Sequence, residues 1–145
     1  MAKMIFVNLP VTDLVRSMAF YAAAGFTNER RFTDDTAAAM QWSEHIIVMI
    51  LTHEKWKSFT DKPIPDAQQT AQVALCISMV SREAVDAIVT AAAANGGKAD
   101  PNPPQDYGVM YGRSFEDPDG HLWEPMWMDP QMATREIEPP AHAPA

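Results

Sequence analysis

The sequence predicts an α+β fold built from two βαβββ modules that form a curved mixed sheet around a cavity. Three observations carry that reading. The order strand, helix, strand, strand, strand can be traced twice along the chain. Each helix is bracketed by a capping residue, Asp13 or Ser81, and by a glycine stop, Gly25 or Asn95-Gly96-Gly97. Between the two halves, Asp61-Lys-Pro-Ile-Pro-Asp66 breaks regular structure, because neither proline has an N–H to donate. With 145 residues, one domain is expected. It should span residues 1–128, with module one at 4–52, a seam loop at 53–70 and module two at 71–128. The Pro-rich tail, 129–145, should be irregular or ordered only against a partner.

The first strand is read at residues 4–11, where Ile5, Phe6 and Val7 suit a pleated, half-buried surface and Pro10 marks its end or an edge. Asp13 then caps a helix whose Leu14, Met18 and Tyr21 fall on one stripe. Strands at 27–33 and 36–42 flank Asp34-Asp35, a turn signal, and the unbroken apolar run 45–52 reads as a strand covered on both faces. A short helix is expected between His53 and Phe59. In module two, a strand at 71–79 leads to the Ser81 cap and a helix over 82–94, with Val85, Ile88, Val89 and Ala92 on its apolar side. A short strand at 98–100 and the Pro101–Pro104 loop come next. Two strands, 108–116 and 121–128, are joined by Asp117-Pro118-Asp119-Gly120, strong turn chemistry.

Composition narrows the function. A net charge of −8 argues against a polyanion partner such as nucleic acid, which needs clustered Lys and Arg. A single cysteine, Cys76, excludes an internal disulfide and a zinc site built on two thiolates. No apolar run is long enough to span a membrane, and the first ten residues are too briefly apolar for a secretory signal, so a cytoplasmic protein is expected.

The run Val11-Thr-Asp-Leu-Val-Arg-Ser-Met-Ala-Phe-Tyr21, followed by Gly25-Phe26, is similar to the opening motif of the glyoxalase, bleomycin-resistance and extradiol-dioxygenase superfamily, the vicinal oxygen chelate fold. Asn95-Gly-Gly97 and Phe115-Glu-Asp-Pro-Asp-Gly-His-Leu-Trp-Glu124 resemble its second-half signature. The resemblance covers residues 4–128 and implies a small-molecule protein, commonly a homodimer, nominally lactoylglutathione lyase-like, with lyase or isomerase chemistry. Other members are dioxygenases or non-catalytic drug-sequestering proteins. Metal-dependent members place four ligands in the cavity. The matching positions here are Phe6, Ile50 or a neighbour in register, about Ala74, and Glu124. Only Glu124 is a donor, so no metal and no cofactor is expected. His121 does not make up the deficit. It lies three residues from Glu124, on the opposite face of a strand.

Strand parity puts Glu124 with Leu122 and Met126. If that face lines the cavity, Phe6, Asn8, Val48, Ile50, Ala74, Cys76 and Ser78 line it too. Glu124 is the candidate catalytic residue, as a general base or as an acceptor for a substrate OH or NH. Asn8 can donate to Glu124 or to a ligand. Cys76 has no adjacent cation to activate it and reads as a small buried thiol, and Ser78 has no identifiable base. Trp42 is placed at the cavity mouth. Trp56 either covers a ligand or pins the seam loop. Tyr111 and Arg113 are candidate ligand contacts, with Arg113 suited to an anionic group. Two functions follow: binding or transformation of a small organic molecule in a largely apolar cavity without the metal, or drug sequestration.

Overall fold

The computed structural model describes residues 2–134 and 138–139. Module one contains β1 (Ile5–Val11), α1 (Leu14–Ala23), β2 (Thr27–Glu29), a 3-10 turn (Arg30–Phe32), β3 (Ala37–Ser43) and β4 (Ile46–Thr52). Its sheet runs β1-β4-β3-β2, with β1 parallel to β4 and the remaining pairs antiparallel. The expected caps form. The Asp13 carboxylate accepts from Arg16 N, and Gly25 takes the left-handed conformation (φ 105°) that an L side chain resists. The second strand is shorter than its sequence suggests. Glu29 accepts from Arg31 N and turns the chain into the 3-10 turn before Asp34 reverses it.

After α2 (His53–Lys57) and the seam loop, module two repeats the plan. It comprises β5 (Ala74–Met79), α3 (Arg82–Ala94), β6 (Lys98–Ala99), β7 (Gln105–Asp106), β8 (Met110–Gly112), β9 (Phe115–Glu116) and β10 (Leu122–Met128). Central β10 is parallel to β5 on one side and antiparallel to β8 and β9 on the other. The strand expected at 108–116 is split at Arg113-Ser114. The register is continuous across the gap and sets Arg113 opposite Pro125, which has no N–H, so only Arg113 N to Pro125 O (3.2 Å) bridges it. The tail does not begin as irregular chain: α4 (Pro130–Ala133) is capped by Asp129, and Met132 is buried. Its remainder at 135–137 and 140–145 lies outside the described residues.

One hydrophobic cluster serves both modules. It joins Val11, Phe20, Tyr21, Phe26, Met40, Val48 and Ile50 of module one to Ile77, Ile88, Val89, Phe115 and Trp123 of module two. Trp123 is its centre: the indole lies nearly parallel to Phe115, 6.1 Å away, and its N–H donates to the Tyr21 hydroxyl (3.1 Å). That hydroxyl donates to Asp117 Oδ2 at 2.7 Å. Burial pushes the Asp117 carboxyl above the ordinary range. The helix-side faces of both curled sheets thus turn toward shared packing, and their other faces are left open. This is the α+β architecture of two βαβββ modules.

Candidate functional site

The open face of module two carries a cavity of about 580 Å³, within the range typical of small-molecule sites. Its floor is β10, where Glu124 and Met126 point the same way, with Met128 continuing the series. Cys76 lies beside Glu124 in the β5–β10 register. Met110 and Gly112 of β8 share this face, opposite Met128 and Met126. Asn102, Pro103, Pro104, Gln105 and Tyr107 form the far wall. Ser114, buried, braces that wall, its hydroxyl accepting from Asn102 N (3.0 Å) and donating to Asn102 O (3.2 Å).

Glu124 is half-buried, and among the described residues it has no ion-pair partner. Cys76 is exposed rather than buried as expected, because β5 is an edge strand whose outer face is uncovered. Partial burial pushes its thiol pKa up, and the Glu124 charge adds to the shift. A thiol held protonated in this way is a poor nucleophile.

Tyr111 and Arg113 border the cavity, but their side chains belong to the other face. In register they stand opposite Trp127 and Pro125, not Met126 and Glu124. The Arg113 guanidinium is held by Asp100 through Nη2 (2.6 Å) and Nε (3.0 Å), and by Asp86 through Nη1 (2.9 Å). The Tyr111 hydroxyl donates to the same Asp86 oxygen, at 2.6 Å. The expectation that Arg113 grips an anionic ligand is corrected on this ground: each of its three side-chain nitrogens donates to one of two carboxylates of the protein.

The remaining candidates separate. Ile50 is fully buried on the helix side, with Val48, so its β4 neighbour Met49 takes the open face beside Asn8. Trp42 is also corrected. It packs on Phe26 (4.9 Å between ring centroids) and against the core, not at a cavity mouth. Phe6 is 56% exposed on the open face of module one and lines neither hollow. Asn8 lies with Trp56 and His121 along a separate hollow of about 390 Å³ at the module seam. There the His121 ring Nε2 donates to Pro10 O (2.7 Å). Ser78 shares the Glu124 face, opposite Met126, outside the cavity lining.

Sequence reasoning did not single out the 102–107 wall, Met110 or Met128. Met128 was legible from its parity with Glu124. The wall was not, since it is brought to the cavity by the Ser114 brace and by the Arg82–Asp106 pair (2.8 Å), both nonlocal. The four positions matched to family metal ligands are Phe6, Met49, Ala74 and Glu124: one carboxylate, one thioether and two hydrocarbons. That set does not fit a divalent ion, which needs about three O, N or S donors. Among the described residues, no three His, Cys, Asp or Glu side chains gather closely enough to hold one. Among the described residues, no helix is long and apolar enough to cross a membrane.

No curated protein matches the chain. Solved structures do. A hypothetical protein from S. aureus aligns at 24% identity, over 88% of this chain and 94% of that one, with a TM-score of 0.73. A glyoxalase/bleomycin resistance protein/dioxygenase family enzyme from Burkholderia phytofirmans PsJN aligns at 20% identity, over 88% and 99%, with a TM-score of 0.70. A genomically encoded fosfomycin resistance protein from Listeria monocytogenes aligns at 19% identity, over 88% and 91%, with a TM-score of 0.61. At these identities the likeness establishes the fold. The family profile matches residues 3–124, from β1 to the candidate glutamate itself, and on that match the chain belongs to the Glyoxalase/Bleomycin resistance protein/Dioxygenase superfamily.

Proposed function

We propose that this chain binds or transforms a small, largely apolar organic molecule in the Glu124 cavity, without a resident metal. One observation supports this above the others: a cavity of small-molecule size, walled by Met110, Met126, Met128, Pro103 and Pro104, has one unpaired carboxylate on its floor. In this reading Glu124 accepts a hydrogen bond from the ligand or takes its proton, and the walls supply apolar contact. The protonated thiol of Cys76, a poor nucleophile on the cavity lining, favours sequestration as the second reading.

The same proposal includes a second copy of the chain. Met4 (44%), Ile5 (54%) and Phe6 (56%) leave an apolar edge of module one open to solvent. Half of the four family site positions lie on that face and half on the face of module two. Twofold pairing of two chains would set the Phe6–Met49 face over the partner's Glu124 cavity.

The test is titration calorimetry of an apolar aromatic amine against wild-type protein and Glu124→Gln. Affinity about tenfold weaker in the variant, an energy within the range of a charged hydrogen bond, is expected; equal affinity removes Glu124 from the site. Sedimentation should show a dimer that Phe6→Glu dissociates. Stoichiometric zinc, nickel or manganese uptake with turnover of the methylglyoxal–glutathione adduct would overturn the metal-free reading in favour of a lactoylglutathione lyase.

A further inference from the structure

We propose that the Glu124 cavity selects small organic cations, molecules with a protonated amine on an apolar body, and rejects anions of the same shape. The inference rests on the cavity being the ligand site and adds the charge its ligand must carry.

Among the described residues, only two that border the cavity are charged, Glu124 and Arg113. The cation does not act on the cavity. Arg113 stands on the opposite strand face and spends its three nitrogens on Asp100 and Asp86. Arg82, the next cation along this edge of the fold, is likewise committed. Two of its nitrogens reach the Asp106 carboxylate (2.8 and 3.0 Å), and its guanidinium lies over the Tyr111 and Trp127 rings. Glu124 therefore faces a hollow lined by thioethers, prolines, a thiol and the neutral polar side chains of Asn102, Gln105, Tyr107 and Ser114, and among the described residues no positive group is turned toward it. A half-buried carboxylate with no ion-pair partner among the described residues is free to accept a charge-assisted hydrogen bond from a ligand ammonium. A carboxylate, phosphate or sulfonate placed there meets like charge across a region of reduced dielectric. The Cys76 thiol lies next to Glu124 in the ladder, where burial first and the Glu124 charge second disfavour its ionisation.

Cys76 supplies a test that needs no ligand, since it is the chain's single cysteine. The full-length protein is treated with a trimethylammonium-bearing and a sulfonate-bearing ethyl methanethiosulfonate. In each case the thiolate attacks the sulfenyl sulfur, a mixed disulfide forms, and methanesulfinate leaves. The ratio of cationic to anionic rates, read by mass, is compared with the ratio for the chain unfolded in urea. The folded protein should exceed it about fivefold, and Glu124→Gln should return it to the unfolded value. A folded ratio equal to the unfolded one, or one that Glu124→Gln leaves unchanged, overturns the proposal. A second arm titrates 1-naphthylmethylammonium and 1-naphthylacetate. Tighter binding of the ammonium supports the proposal. Equal binding of both leaves the cavity a ligand site and defeats the charge rule, whereas binding of neither at millimolar concentration defeats the ligand-site reading and this inference with it.

Discussion

Met49 of module one and Glu124 of module two hold the same place in a repeated scaffold. Each lies on the central strand, in register with the residue five positions before the helix cap, Asn8 before Asp13 and Cys76 before Ser81. The backbone is duplicated and the chemistry is not. Module one presents Phe6 and Met49, while module two presents a carboxylate and a thiol under a braced proline wall. The fold asks only that each helix-side face be apolar, and Val48, Ile50, Ile77 and Trp123 meet that demand. The open faces are free to diverge: module one carries Phe6, Asn8 and Met49, with no charge at these positions, while module two keeps a carboxylate.

The largest effect expected from breaking this arrangement lies where the halves meet. Trp123→Ala should lower the unfolding free energy by about 3–5 kcal/mol in urea titrations, because it empties a site packed by Tyr21, Phe26 and Phe115. Phe6→Ala, on the open face of module one, should change it by less than about 0.5 kcal/mol at protein concentrations where the chain is a monomer. Similar losses for the two would mean that the faces are not divided as described.

A smaller effect is expected from the buried latch between modules. Tyr21→Phe strands Asp117 Oδ2 and the Trp123 N–H, and should cost about 1–3 kcal/mol. The latch also leaves a pH signature. Burial raises the folded-state pKa of Asp117 above its unfolded value, so folding favours the neutral acid. Its contribution to stability is complete below the ordinary unfolded value of about 3.9 and is lost as pH rises through the raised one. In Asp117→Asn that decline should flatten, as read from urea midpoints over a pH series. An unaltered profile would show that Asp117 does not carry it.

Smaller still, Glu124→Met makes the open face of module two resemble that of module one. Stability should hold or rise by less than about 1 kcal/mol, since an unpaired half-buried carboxylate is removed. Binding of the aromatic amine should fall by at least about tenfold. A marked loss of stability would make Glu124 a structural residue after all.

How far the sequence reaches follows the same division. The caps at Asp13 and Ser81, the Gly25 stop and the Asp117–Gly120 turn are local chemistry, and the structure uses each of them. The face of Glu124, Cys76 and Met126 was legible because β10 alternates bulky indoles with other residues. The phase of β4 was not, since Ile46-Ile-Val-Met-Ile-Leu51 is apolar on both sides and parity has no mark to start from. Ile50 was accordingly assigned to the wrong face. Arg113 was misread for a different reason: Asp86 and Asp100 are distant in sequence, so nothing local shows the charge to be engaged.

The least effect is expected from two exposed ion pairs that contrast the modules once more. In module one, Arg31 reaches Glu29 two residues away and closes only its own turn. In module two, Arg82 reaches across 24 residues to Asp106 and ties α3 to the wall of the cavity. Exposed pairs contribute little to stability, so Arg31→Gln should leave the urea midpoint in place and Arg82→Gln should lower it only modestly at neutral pH, the loss vanishing as pH falls through the Asp106 range. Their difference lies in what the pair holds. Arg82 pulls the Asp106 carboxyl down to about 2, and in Arg82→Gln an NMR titration should find it returned toward the ordinary value of about 3.9. Amide exchange at Gln105 to Gly108 should then quicken while that of α3 stays as it was, because the wall loses a tether and the helix loses none of its own bonds. The corresponding change in Arg31→Gln should stop at the 3-10 turn. Equal loosening of both modules would mean that sequence separation, and with it the tie between helix and cavity wall, has no bearing on the site.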